Sequence, residues 1–499
     1  MAAHTSTSAI SAANKKKQDR RVAFATIAGT TVEWYDFFIY AQAAGLVFTS
    51  LMFDPMGEKY GLMLSFATVG ISFLFRPFGA FLAGHLGDRV GRRAVLVVTL
   101  IGMGVATTAI GLLPTYAQIG VAAPILLLLL RIIQGISAGG EWGGAALMAV
   151  EHADPDKRGL AGTYPQLGVP LGMLLASGVF ALMTGVISPG EAFLEWGWRV
   201  PFLLSFVLVL LGHFIRRSVD ESPIYKEIAE RKEQTKAPIA VLFKFQWPLI
   251  LGAAFLFAGN NAGGYMTTGG FITAYTTNPD GPVALDRTDA LLCISGAAAV
   301  WFVFTLIGGI VSDKIGRRNT FLLGYAWLIA LAFPMFVLVN TARPLLLFAG
   351  LSLFAVGLGF TYGPQAAWYA ELFPANIRFS GVSISYALGA ILGGAFAPTI
   401  AQSLLDATGS TDAIVLYLIA MFVLGGAAAL FLQDKPRRPL GIDHQEEQEQ
   451  FARLRIGNFR ATSQSNAPRM GSEQPAMSNP PQKVTVATKS GEAEPVSNS

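Results

Sequence analysis

Five ionisable residues lie inside stretches that are otherwise long and apolar: Glu33, Asp36, Arg76, Arg131 and Glu141. A charge held at membrane depth costs a few kcal/mol or more unless it is paired or faces a wet cavity. In that setting a carboxylate can take up and release a proton, and an arginine can hold either that carboxylate or an acid group on a solute. Glu33 and Asp36 are one helical turn apart and share a face, which Tyr40 continues. At the helical rise of about 1.5 Å per residue, Asp36 falls near the middle of its stretch. On the same count Arg131 sits about 9 Å to the outer side of the middle of its own stretch, and Glu141 about 6 Å to the inner side. An arginine side chain and modest helix tilt close the gap between Asp36 and Arg131. That pair is either a proton-linked switch, in which protonation of Asp36 frees Arg131 for a solute carboxylate, or a permanent structural salt bridge.

Glu33 and Glu141 are the other candidate proton carriers. Glu141 lies among Gly139, Gly140, Gly143 and Gly144, where a second helix can pack closely, and equally fits a neutral acid bonded to a backbone carbonyl. Arg76 opens an Arg-Pro step whose missing backbone hydrogen bond can bend a helix. It is read either as a solute contact or as a partner for a first-span carboxylate. Gln166, Asn260 with its neighbour Asn261, Tyr362 and Gln365 are polar groups able to hydrogen-bond a solute or to serve structure alone.

Positioning these residues takes many spanning helices. Of the 499 residues, 53% are hydrophobic and only 14% charged, and the mean hydropathy is +0.49. Twelve runs reach the roughly 20 residues a spanning helix needs. They fall near 22–49, 61–86, 94–114, 122–150, 160–187, 200–216, 247–276, 289–311, 319–340, 344–370, 380–405 and 412–433. The expected organisation is an N-terminal segment 1–21, a six-helix half 22–216, a polar linker 217–246, a second six-helix half 247–434 and a disordered tail 435–499. Ser, Pro, Gln, Asn and Glu dominate the tail, which offers too little apolar surface to fold alone. A short amphipathic stretch near 443–456 could be helical but lacks coiled-coil heptads.

The two halves repeat each other. Residues 84–93 read Gly-His-Leu-Gly-Asp-Arg-Val-Gly-Arg-Arg, and 309–318 read Gly-Ile-Val-Ser-Asp-Lys-Ile-Gly-Arg-Arg. Glu151 and Arg158 recur as Glu371 and Arg378 at the same internal spacing. Internal repeats of membrane spans are the mark of a transporter, so the chain is expected to move a solute across a membrane. Gly84, Asp88, Gly91, Arg92 and Arg93, with Asp313, Gly316, Arg317 and Arg318, form candidate gate loops. Their arginines are placed to pair with Glu151 and Glu371. Topology alone needs the positive charges but not the matched Asp and Gly positions. Basic residues gather on the side of these loops and of both termini, which places that side in the cytoplasm and the chain in the plasma (inner) membrane.

The gate loops resemble those of the major facilitator superfamily, and Leu127, Arg131, Gln134, Gly135 and Gly139 resemble its fourth-span pattern. Asp220-Glu221-Ser222-Pro223 is similar to the element after span six in sugar-porter relatives. Glu33-Trp34-Tyr35-Asp36-Phe37-Phe38, Phe75-Arg76-Pro77-Phe78-Gly79, Gly140-Glu141-Trp142-Gly143-Gly144 and Gly197-Trp198-Arg199-Val200-Pro201-Phe202 resemble the metabolite:proton symporters within it. The resemblance covers about residues 20–435 and leaves out the tail. It implies the major facilitator fold, an all-α membrane protein of twelve transmembrane helices in two six-helix halves. It also implies proton symport of a small organic solute such as shikimate, 2-oxoglutarate, citrate, proline or betaine.

Two intramembrane arginines favour a carboxylate-bearing solute imported by alternating access. An osmosensing betaine or proline carrier, or a transporter-like receptor, is the alternative; a betaine carrier of this family can end in a coiled coil, which this tail lacks. No Gly-x-x-x-x-Gly-Lys-Ser/Thr loop is present, which argues against direct ATP use. No nucleophile and base are spaced for an enzyme, and neither a metal nor another cofactor is expected. Cys293 is the only cysteine, so no intramolecular disulfide forms. The expected partners are a small-molecule substrate, protons and the lipid bilayer, without nucleic acid and without a second subunit.

Overall fold

The computed structural model describes residues 2–90, 92–139, 141–217, 246–268, 270–375, 377–434 and 437–451. The 217–246 linker, apart from its two end residues, and the tail beyond 451 lie outside the described residues. So do the side chains of the N-terminal 22 residues and of 84–97.

Every expected span is a helix, and the bounds move by a few residues. They are α1 (Ala2–Leu46), α2 (Gly57–Val90), α3 (Arg92–Leu112), α4 (Ala122–Glu151), α5 (Pro155–Ile187) and α6 (Arg199–Arg217). The second set is α7 (Trp247–Thr268, continued by Phe271–Thr277), α8 (Arg287–Ile315), α9 (Arg317–Val339), α10 (Pro344–Leu372), α11 (Arg378–Thr408) and α12 (Asp412–Phe431). Among the described residues, nine of these helices are long and apolar enough on their own to cross a membrane. Their outward positions carry large apolar side chains such as Leu129, Phe206, Phe333 and Leu416, as lipid contact requires.

Two boundaries differ from the sequence expectation. Helix α1 starts at Ala2 rather than near residue 22, because the Ala-, Lys- and Gln-containing leader carries no breaker and continues the helix. The segment after α12 was expected to be disordered from 435. Instead a short helix, Gln445–Phe451, follows a turn, and Leu440 and Gln448 are buried. The helix falls in the amphipathic stretch near 443–456, and buried hydrogen-bond partners at the end of the helical body hold it there.

Each half is assembled in the same way. The pairs α1 with α5, α2 with α4, and α3 with α6 pack together, and α7 with α11, α8 with α10, and α9 with α12 repeat them. The halves meet along α5 against α8 and α2 against α11. Close backbone approach sets the pairs within a half. A methyl group added at Gly135 of α4 would come within 2.1 Å of the Ser72 carbonyl oxygen of α2. One at Gly139 would come within 2.0 Å of the Arg76 carbonyl. Small residues are what allow helices to pack this tightly in lipid. Helix α2 runs through Pro77 without interruption, whereas the first segment of α4 ends at a turn at Gly139 and a second begins at Glu141.

Gly135→Val should therefore force α2 and α4 apart and destabilise the detergent-solubilised protein by about 1–3 kcal/mol. Gly178→Ala, whose added methyl group meets nothing within 4 Å, should leave thermal unfolding unchanged. Equal melting of the two variants would refute the close-packing account.

Candidate functional site

Asp36 lies on α1 facing α3 and α6, and it is 1% exposed. Both of its carboxylate oxygens accept from hydroxyls: Thr107 donates at 3.0 Å and Ser205 at 2.5 Å. Thr107 in turn accepts from Gln134 Nε2 at 2.6 Å. The Gln134 Oε1 accepts from Arg131 Nη1 at 2.7 Å. Arg131 thus connects to Asp36 through Gln134 and Thr107, where the sequence suggested a direct pairing. The gap between their depths on α1 and α4 is filled by two neutral side chains.

The rest of the Arg131 guanidinium is held by α2. Nε donates to the Thr68 carbonyl at 3.3 Å and Nη2 to that of Val69 at 3.1 Å. Its carbon lies 3.8 Å from the Tyr40 ring centroid, and the Tyr40 hydroxyl bonds Thr68 Oγ1 at 2.6 Å. Glu33 and Glu141 are each 1% exposed, and the Glu141 charge bears on Asp36.

Arg76 is 4% exposed and packs its guanidinium against three rings, with centroids at 4.3 Å for Phe73, 5.5 Å for Trp34 and 5.9 Å for Phe37. Cation–π contacts of this kind hold a desolvated guanidinium without neutralising it. Its Nε has no hydrogen-bond partner among the described residues. The charges of Arg76 and Glu33 both bear on Tyr386 of α11, across the boundary between the halves.

An aromatic ladder crosses that boundary. Trp142 of α4 stacks on Tyr386 with centroids 3.7 Å apart, Tyr386 on Phe257 of α7 at 4.5 Å, and Phe257 on Tyr362 at 6.1 Å. A small cavity beside it is lined by Trp34, Phe38, Val169, Asn260, Asn261, Gly264, Trp301 and Tyr362, with room for about one water molecule. Two donors on its wall, Asn261 Nδ2 and Trp301 Nε1, have no hydrogen-bond partner among the described residues.

Asn260 and Gln166 are already occupied. Asn260 Nδ2 donates to the Leu358 carbonyl at 3.1 Å and Thr361 Oγ1 at 2.7 Å, joining α7 to α10. Gln166 accepts from Trp142 Nε1 at 2.9 Å and donates to the Tyr362 carbonyl at 3.1 Å and Gln365 Oε1 at 3.2 Å. It is a tie between the halves, and Asn261 is the residue of its pair left to meet a solute.

At the end bearing the arginine-rich loops, the expected pairing of a loop arginine with Glu371 is made by Arg317, while Glu151 is met by Arg378 rather than by a loop arginine that is described. Arg378 of α11 meets Glu151 of α4 at 3.4 Å, and the Glu371 charge bears on Arg158 of α5. Arg317 makes a forked contact with Glu371, at 3.2 and 3.1 Å, and bonds Asp313 at 2.7 Å, all within the second half. Asp313 also accepts from the backbone N–H groups of Gly159 at 2.7 Å and Leu160 at 3.0 Å, so it caps α5 from the opposite half. Gly316 adopts φ 91°, a conformation that suits glycine, and a methyl group there would meet Asp434 Oδ2 at 2.8 Å. Arg318 bonds the Ala429 carbonyl at 3.2 Å and that of Leu432 at 2.5 Å at the end of α12. Gly84, Asp88, Gly91, Arg92 and Arg93, the first-half copy of this loop, lie where side chains are outside the described residues.

Sequence reasoning did not place Ser205, Thr107, Trp301 or Tyr386 in the site. Isolated hydroxyls in apolar spans were the available signal for the first two.

The sequence profile of the Major Facilitator Superfamily matches residues 26–393 and, in a second match, 285–467. The inner membrane metabolite transport protein YhjE of Escherichia coli K12 is 40% identical over 423 residues, covering 84% of this chain and 95% of that protein. The shikimate transporter of the same organism is 34% identical over 427 residues, covering 84% and 95%. The proline/betaine transporter of Salmonella typhimurium LT2 is 31% identical over 433 residues, covering 84% and 85%. Among solved structures, the proton:xylose symporter XylE bound to 6-bromo-6-deoxy-D-glucose superposes with a TM-score of 0.68 at 17% identity, covering 87% of this chain and 99% of that one.

If the crossed pair holds the gate, Glu151→Gln and Arg378→Gln should be coupled. Their combined loss of thermal stability in detergent should differ from the sum of the single losses by about 1–3 kcal/mol. Strictly additive losses would show that the two side chains do not act on each other.

Proposed function

The chain belongs to the major facilitator superfamily, and from that premise we propose that it imports a small carboxylate-bearing metabolite together with protons, by alternating access. It is a membrane transporter and not an enzyme. The observation that supports proton coupling best is the setting of Asp36. Its carboxylate is buried, is held by two neutral hydroxyls, and is linked to a buried arginine by a continuous hydrogen-bonded chain.

An ionised Asp36 can only accept hydrogen bonds. A protonated one must donate, so Thr107 or Ser205 has to turn its hydroxyl away. If Thr107 turns, its hydroxyl can pass to the Met103 carbonyl at 2.9 Å while its oxygen still accepts from Gln134. One proton thereby reverses a bond in the chain that links α1, α3, α4 and α6. Glu141 and Glu33 face the same region and carry the remaining titratable charge, with Arg131 and Arg76 as the cations.

The choice of solute rests on what the cavity leaves unsatisfied. Asn261 Nδ2, Trp301 Nε1 and, behind Trp34, Arg76 Nε are all donors. A solute rich in acceptors, with a carboxylate for Arg76 and hydroxyl or carbonyl oxygens for the other two, complements them. The small cavity in this conformation then widens as the halves rock, as a site at their interface should. The rings of Trp34, Phe38, Trp301 and Tyr362 would also suit a quaternary ammonium group, so a betaine, which carries a carboxylate as well, is the second solute class.

Basic residues concentrated on the loop end orient that end and both termini toward the cytoplasm. The inner-membrane relative supports the location.

In proteoliposomes on a solid-supported membrane, one class of organic acid should evoke a current that grows as the outer pH falls, against a panel of betaines, amino acids and sugars. Silence to every acid would overturn the carboxylate assignment. Asp36→Asn should abolish uphill accumulation while leaving counterflow exchange of the same solute, since binding and rocking remain. Undiminished accumulation would remove Asp36 from the coupling step.

A further inference from the structure

Residues 437–451 follow the last span and fall outside the transport core, yet they touch gate residues of both halves. From the first half, Arg158 Nη1 donates to the Arg438 carbonyl, and Asp156 pairs with Arg437 at 2.7 Å. From the second half, Arg378 Nη1 donates to the Leu440 carbonyl at 3.0 Å and Nη2 to Gln448 Oε1 at 3.0 Å. The segment is anchored to the second half just before this point: Trp368 Nε1 donates to the Gln433 carbonyl at 2.8 Å, and Asp434 accepts from the backbone N–H groups of Arg317 at 3.3 Å and Arg318 at 3.0 Å.

Gln448 organises the segment. It is 6% exposed, and its amide is engaged at both ends. Oε1 accepts from the Ala375 N–H at 2.8 Å as well as from Arg378. Nε2 donates to the Pro439 carbonyl at 3.0 Å and the Gly441 carbonyl at 2.9 Å. One side chain therefore fixes the 439–441 turn, which presents the Arg438 carbonyl to Arg158, and also holds the Arg378 guanidinium beside Glu151.

We propose that residues 437–451 form a strap that is a third component of the gate, with Gln448 as the residue that positions it. Its bonds to the second half stay intact as the halves separate. Its bonds to Arg158 and Asp156 span the moving boundary and must break for this end to open. The exposed Arg437–Asp156 pair adds little in water. The buried Arg158 contact and the shared hold on Arg378 carry the effect. The strap therefore favours the conformation closed at the loop end and sets how often that end opens, independently of which solute is carried. A modification or partner that lifts Gln448 from the turn would raise the opening rate.

The inference rests on alternating access, and its test reads conformation rather than transport. In full-length protein with Cys293→Ser, spin labels at Lys157→Cys and Asn319→Cys, both on exposed positions of opposite halves, report the width of the loop end by pulsed dipolar spectroscopy in lipid. Gln448→Leu should raise the ratio of long to short distances about tenfold, the effect of losing a buried hydrogen bond to a charged group. Gln448→Glu, which keeps the acceptor for Arg378 and Ala375, should stay closer to the parent than Gln448→Leu does. If Gln448→Leu fails to assemble, Gln448→Asn should give a smaller shift in the same direction. A distance distribution unchanged in Gln448→Leu, or in Gln448→Asn where Leu is not tolerated, would overturn the strap. A parent protein that shows both distance populations but moves no solute would sink the transport proposal and leave the strap standing.

Discussion

A carboxylate at membrane depth has no bulk water to solvate it, so the protein around Asp36 must stand in for that water. It does so with two hydroxyls, one on α3 and one on α6. The consequence extends beyond one residue. Thr107 is shared with Gln134 of α4, Gln134 with Arg131, and Arg131 with the carbonyls of Thr68 and Val69 on α2. Five of the six helices of the first half thus converge on one carboxylate. In a low-dielectric interior such a chain is strong when complete and costly when one link fails. The group best suited to take a proton is therefore also the group on which the geometry of the half depends.

The contacts between the halves are more mixed than those within them. Inside each half, helices approach at backbone distance through glycines such as Gly135 and Gly139, and no partial separation is tolerated there. Across the boundary glycines also approach closely, as Gly270 does to Ala41 and Gly309 to Gly159, and beside them lie polar closures that water can replace. They are the Asp313 cap on α5, the Glu151–Arg378 pair, Gln166 at mid-height and, at the far end, a 3.1 Å contact between Thr184 and Thr288. Two rigid bodies joined by a hydratable seam is the construction that permits rocking about a central site. The solved relative of similar fold fits that reading by architecture alone.

Much of this was visible in the sequence because the signals are chemical as well as periodic. Apolar runs gave all twelve helices, since a spanning helix has few alternatives to a long hydrophobic stretch. Charges such as Asp36, Arg76 and Arg131 stood out because they are expensive where they lie. What stayed hidden was neutral. Ser205 and Thr107 are ordinary residues in a transmembrane helix, often bonded to their own backbone, and nothing in their spacing tells that α3 and α6 aim them at α1. Asn260 and Asn261 cannot be told apart by position, and both line the cavity, yet the Asn260 amide bridges α7 to α10 while the Asn261 Nδ2 has no hydrogen-bond partner among the described residues. The sequence allowed a helix near 443–456 but not its docking, because composition counts apolar surface, whereas Gln448 is held there by four polar contacts.

The repeated Glu and Arg positions take their meaning only from the pairing of halves. When two similar bodies face each other across an approximate two-fold, a residue of one meets the counterpart of its neighbour on the other. The equal spacing of Glu151 to Arg158 and of Glu371 to Arg378 is then the condition for two crossed braces rather than two internal ones. The braces are not equivalent. Arg317 already neutralises Glu371 from its own half, so Arg158 meets a partly compensated charge and turns its guanidinium to a backbone carbonyl instead. Opening parts the Arg378–Glu151 pair across the boundary and leaves Arg317 with Glu371 inside the second half. The charges of a pair that spans the boundary must be rehydrated if it parts, and water entering the seam is what permits that exchange.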